Sequence, residues 1–217
     1  MSSLPPLASF LITLLLAAAV CIHGEESVRD TNGNEVRIGE QYFIQPINTG
    51  SNGGGLVPID QTFPICQPLG ITEALGGEPG VPVNIAYRSG FLTPLKVIKT
   101  NLNITIEFEY NLCNELSKFW EVEEFGDPTK PAIRIGGSPK EPRSWFKIEK
   151  VKDDGTYKLT TPAGTVGAIP ILGSTPRLVL TNDVSKIISV KFIKVNDATT
   201  DVTSRVEKLG LRMIPFY

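Results

Sequence analysis

Beyond its first two dozen residues, no stretch of this chain convincingly keeps apolar side chains at helical spacing. The apolar residues come instead in short runs cut by glycine, proline and asparagine. Runs at 42–47, 55–59, 62–66, 82–86, 95–98 and 102–108 are followed by others at 119–122, 132–135, 145–151, 157–159, 168–171, 177–180 and 188–195. Residues 102–108 alternate apolar and polar side chains, as a half-buried strand does. About twelve or thirteen short strands with frequent turns specify an all-β sandwich or barrel. The 20 glycines and 17 prolines supply the turns. The segment 197–211 is rich in threonine and valine and poor for helix, so it reads as an irregular tail or an added strand.

The 217 residues show no low-complexity linker and no charge block, which predicts a single domain over 25–217 with a C-terminal extension after about residue 196. A 41% hydrophobic and 20% charged composition fits a chain with a packed core. The net charge of −2 gives no general attraction to nucleic acid or to an anionic membrane. The start of the chain is different. Residues 10–20 form an apolar run too short for a comfortable bilayer span, followed by small residues and then Glu25 and Glu26. Residues 1–24 therefore read as a cleaved secretory signal, cut after Gly24, although the segment before the run has no lysine or arginine. The expected location is extracellular, or vacuolar by the same route.

Cleavage would remove Cys21 and His23 and leave Cys66, Cys113 and no histidine. In an oxidising compartment two cysteines most simply form one bridge. Without an imidazole, Ser-His-Asp and Cys-His catalysis are both closed, as are most zinc sites. A paired-carboxylate glycosidase needs only Asp and Glu, and Glu121, Glu123, Glu124 and Asp127 could supply them. The expectation for that cluster is a solvated strand end. The chain reads as a binding protein rather than an enzyme. Asn103-Ile104-Thr105 is a glycosylation sequon that falls on an expected strand.

One stretch carries more specific information. Val28, Asp30, Asn32, Gly33, Asn34 and Val36 are followed after five residues by Tyr42, Phe43 and Ile44. This resembles the signature of the plant Kunitz inhibitors of the soybean trypsin inhibitor type, which include miraculin-like proteins. The glycine-rich turn at Gly53, Gly54 and Gly55 is similar to the family's, as are the strands at 145–151, 157–159, 177–180 and 190–192. The spacing of Cys66 and Cys113 matches the family's first disulfide. The resemblance spans about residues 28–195. It implies a β-trefoil of about twelve strands in three pseudo-repeats, no cofactor, a monomer, and a serine protease of trypsin-like or chymotrypsin-like type as partner. A storage, defence or ligand-binding role, or inhibition of another hydrolase class, is the alternative within the family.

In inhibitory members an exposed loop enters the protease as a substrate does, and its P1 side chain fills the S1 pocket. The resemblance places that loop at about residues 86–94, including Tyr87, Arg88, Ser89, Gly90, Phe91 and Leu92. Arg88 is the basic residue of the window and the leading P1 candidate, since a guanidinium suits a carboxylate at the base of S1. Counting from Cys66 points nearer Gly90, and counting back from Leu102 points to Leu92. Two departures stand out. Inhibitory relatives carry an asparagine that braces the loop where this chain has Ile38. The family's second disulfide is missing, because residues 160–167 contain no cysteine, which predicts a looser loop there.

Overall fold

The computed structural model describes residues 25–195 apart from 48–52, 62–64, 76, 89–94, 112, 114, 125–129 and 172–173. Four strands make the first third: β1 (Gln41–Pro46), β2 (Leu56–Gln61), β3 (Gln67–Glu73) and β4 (Val83–Tyr87). The second third holds β5 (Ile104–Phe108), β6 (Trp120–Val122), β7 (Ile133–Ile135) and β8 (Lys147–Lys152), with a 3-10 turn at Pro142–Ser144 before β8. The last third holds β9 (Thr156–Thr161), β10 (Gly164–Ile171), β11 (Ser174–Thr181) and β12 (Val190–Lys194). Ten strands join in the order β2-β3-β11-β10-β9-β12-β1-β4-β5, with β8 also on β9, while β6 and β7 form a separate pair. All pairings are antiparallel, and β1 runs along β12 from Tyr42 opposite Lys194 to Pro46 opposite Val190. The first and last strands thus close on each other. The expected β-trefoil is the fold.

Four positions of the constrained stretch before β1, Val28, Asp30, Gly33 and Val36, have a clear physical reason. Val28 and Val36 are fully buried and paired, with the Val36 N–H donating to the Val28 carbonyl at 2.8 Å. Asp30 closes the turn between them, its Oδ1 accepting from the N–H groups of Asn32 and Asn34. Gly33 supplies the positive φ of 81° that this turn requires. Two buried phenols then fix the segment to the sheet: the Tyr42 hydroxyl accepts the Arg37 N–H and the Tyr157 hydroxyl accepts the Arg29 N–H. In the glycine-rich turn, Gly55 lies so close to the Pro79 carbonyl that a Cβ would collide with it.

The core runs through all three thirds. Trp120 sits at its centre with no exposure, 5.2 Å from Phe108 and 6.1 Å edge-on from Phe146. Tyr157 and Phe192 pack at 5.8 Å on the other side. Large side chains of this kind contribute about 1.5–3 kcal/mol each on burial, which favours the strands that carry them over looser alternatives.

Three local expectations need correction. Residues 95–98 form no strand; Val97 and Lys99 make isolated bridges to Arg37 and Ser27. The chain around Cys66 is extended later than expected: Ile65 and Cys66 lie outside a strand and β3 begins at Gln67, while 62–64 fall outside the described residues. The segment without the family's second bridge is a paired hairpin rather than an open loop. β9 and β10 meet there in a two-residue hairpin with Thr161 opposite Gly164, and the Thr161 hydroxyl accepts the Ala163 N–H at 3.2 Å. A short hairpin fixes its own register through this local bonding and needs no covalent tie.

Candidate functional site

The site begins where β4 ends. Val83–Tyr87 pairs along β5 with Tyr87 opposite Ile104, so Ala86 and Tyr87 are strand residues rather than loop residues. The connection to β5 therefore starts at Arg88. Ser89, Gly90, Phe91 and Leu92 lie outside the described residues. Tyr87 ties the two legs of this connection together. Its hydroxyl donates to the Val97 carbonyl at 2.7 Å and accepts the Lys99 N–H at 2.9 Å. Burial pushes the Tyr87 phenol up, opposed by the Lys99 bond. The incoming leg is held as well, by the Arg88 N–H donating to the Asn103 carbonyl at 3.3 Å.

The outgoing leg is bonded to the segment before β1. The Ile38 N–H donates to the Lys96 carbonyl at 2.8 Å, and Arg37 bridges Val97. Ile38 thus stands beside the connection as the resemblance implied, but its side chain is 37% exposed and has no group to donate. Asn103 is half-buried and precedes β5 instead of lying within it.

The Arg88 side chain has a partner that no spacing in the sequence suggested. Its guanidinium lies over the Trp145 indole, 4.4 Å from the ring centroid. Trp145 is itself fixed, its indole N–H donating to the Pro139 carbonyl at 3.1 Å and its backbone N–H to Pro142 at the end of the 3-10 turn. The two residues are 57 positions apart and come from different thirds of the fold, so only the tertiary structure brings them together.

The expected bridge is present: Cys66, just before β3, is bonded to Cys113 in the connection between β5 and β6. The glutamate cluster is a solvated strand end only in part: Glu124 is exposed and Glu123 half-buried, but Glu121 is not. Glu121 is 3% exposed and lies between two guanidinium groups, 3.0 Å from Arg134 Nε and 3.0 Å from Arg143 Nε. Glu123 pairs with Arg134, and Glu124 and Glu141 pair with Arg143. A buried carboxylate requires such partners, and the sequence carried no sign of their proximity. Asp127 lies outside the described residues. Among the described residues, no group of three His, Cys, Asp or Glu side chains could hold a metal ion.

Residues 28–194 match the legume Kunitz family model, described as trypsin and protease inhibitor. The chain belongs to this family. Kunitz trypsin inhibitor 2 of Arabidopsis thaliana is 48% identical over 90% of this chain and 94% of its own length. Among solved structures, the water-soluble chlorophyll protein of Brassica oleracea var. Botrytis with chlorophyll b is 46% identical, covers 78% of this chain and 99% of its own, and superposes with a TM-score of 0.70. The soybean trypsin inhibitor bound to porcine pancreatic trypsin is 25% identical over 78% of this Kunitz chain and 99% of its own, with a TM-score of 0.64.

Proposed function

We propose that this Kunitz-family chain is a monomeric, secreted or vacuolar inhibitor of serine endopeptidases that presents the segment leaving β4 to its target. The observation that carries the reading is the anchoring of that segment at both feet by the Tyr87 hydroxyl. A segment held at its ends loses little further freedom on binding, which favours tight association without new contacts. The bonds from Arg88 to Asn103 and from Ile38 to Lys96 add to that support. Arg88 is the P1 residue in this reading, and the target has a carboxylate in S1. The chain needs no catalytic apparatus, because the protease supplies its own.

Titration of trypsin and of chymotrypsin with the purified protein tests this. The expected result is tight inhibition of trypsin that Arg88→Ala abolishes. Inhibition of chymotrypsin alone would move P1 to Leu92. A folded protein that inhibits neither would overturn the reading.

A second reading draws support from the 46% identity to a chlorophyll-binding protein, against 25% to the trypsin-bound inhibitor. Around β3 three aliphatic side chains are exposed: Ile65 and Leu75 at 65% each and Leu69 at 43%. Apolar surface of this kind suits a tetrapyrrole with a hydrocarbon tail. Mixing the protein with chlorophyll b in mild detergent and separating by size would give co-eluting pigment. Pigment that stays with the detergent would remove this reading.

A further inference from the structure

The stack between Arg88 and Trp145 has a consequence for any protease that uses Arg88. A P1 side chain must extend away from its own protein to reach the carboxylate in S1. In this molecule the Arg88 guanidinium instead lies 4.4 Å from the centre of the Trp145 ring. One guanidinium cannot occupy both positions. We propose that Trp145 is a positioning residue that holds Arg88 in an autoinhibitory contact, so that a trypsin-like protease must break the stack before it can engage. This rests on the reading of Arg88 as P1.

Three features make the contact a built one. The indole is locked by its N–H bond to the Pro139 carbonyl, so the ring face is fixed before Arg88 arrives. The Arg88 backbone is locked by its bond to Asn103, which leaves the side chain as the part free to change position. No ion pair within 4.0 Å holds the Arg88 guanidinium among the described residues, whereas Arg134 and Arg143 are each gripped by carboxylates. A cation on an aromatic face is held strongly enough to be favoured and weakly enough to be displaced by a carboxylate in a dry pocket. Trp145 thereby selects for targets whose S1 carboxylate outcompetes an indole, and it slows engagement by weaker ones.

The test compares the wild type with Trp145→Leu and Trp145→Phe, measuring association with trypsin and, by mass spectrometry, any cleavage after Arg88. Trp145→Leu is expected to raise the association constant, or the cleavage rate, by about three- to twentyfold, the range set by loss of one cation–π contact. Trp145→Phe retains a weaker aromatic face, so a smaller rise is expected, and it is the variant to rely on if the leucine substitution impairs folding. Two readouts separate positioning from a general structural role. Without protease, Arg88→Ala should alter tryptophan emission in the wild type and leave it unchanged in the Trp145→Phe background. In an Arg88→Leu protein, Trp145→Leu should leave chymotrypsin association unchanged.

If the wild type inhibits trypsin, Arg88→Ala abolishes that inhibition, and the Trp145 variants associate no faster, the stack is not a restraint and this inference alone is overturned. If neither the wild type nor Trp145→Leu inhibits trypsin or is cut after Arg88, the P1 reading itself fails and takes the inference with it.

Discussion

At the scale of single residues, Tyr42 shows how one buried polar group organises the chain beside the site. It is fully buried, accepts the Arg37 N–H, and donates to Glu40 Oε2 at 2.7 Å. Burial, and then the bond to Glu40, push the phenol up. The same bond, followed by Lys194 at 2.9 Å, holds the Glu40 carboxyl below its ordinary value. The sign of the linkage follows. A depressed carboxyl contributes stability above the unfolded value of about 4.3, and loses it as pH falls through the folded value. Replacing Glu40 by glutamine should therefore lower the melting temperature at pH 7, and the difference from wild type should shrink below about pH 4. Thermal melts of both proteins between pH 2 and 7 check this. A difference that stays constant with pH would mean that Glu40 acts by packing and not by charge.

At the scale of elements, β4 and β5 decide how the candidate loop is presented, and Tyr87 is the hinge of that argument. Replacing its hydroxyl with hydrogen leaves the Lys99 N–H and the Val97 carbonyl without their partner. The expected cost is about 1–2 kcal/mol of stability, the range for one half-buried donor and acceptor pair. Tyr87→Phe should also make the segment after Arg88 more susceptible to hydrolysis, because its feet are no longer joined. Denaturant unfolding gives the first quantity, and the cleavage rate with catalytic amounts of trypsin gives the second. A full loss of stability with an unchanged cleavage rate would show that Tyr87 supports the core and not the loop. The strands around this site were legible, because alternation at 82–86 and 102–108 is a local property of the sequence. The contacts that define the site were not. Tyr87 meets Val97 ten positions further on with no periodicity to signal it, Arg88 meets Trp145 from a different third of the fold, and Glu121 finds Arg134 and Arg143 only when β6, β7 and the 3-10 turn assemble. β3 was missed for a related reason: Pro68 and Gly70 break its pattern, and pairing with β2 and β11 imposes the strand from outside.

At the scale of the whole molecule, the trefoil could be inferred only by resemblance, since many barrels share the same count of short strands. The signature around Val28 is informative because it serves closure: its turn bonds to the last strand through the Thr31 N–H and the Phe192 carbonyl at 2.9 Å, and its two phenol contacts tie the same segment to β1 and β9. Two devices therefore hold the molecule together, the β1–β12 pairing and the bridge between Cys66 and Cys113, and they act differently. The pairing stabilises the native state directly. The bridge closes 47 residues of chain, and it acts mainly by restricting the unfolded state. Loop-closure entropy puts its contribution at up to about 4 kcal/mol. Serine at both positions should lower stability by an amount approaching that figure, while the strand content at room temperature is kept. Guanidinium unfolding of the variant and of the oxidised wild type measures the difference. The bridge joins the approach to β3 to the β5–β6 connection and belongs to neither leg of the connection that starts at Arg88, so protease binding well below the melting temperature should be unchanged. A loss below about 1 kcal/mol would indicate that the unfolded chain already keeps these two regions close, because entropy of closure is then absent from the balance.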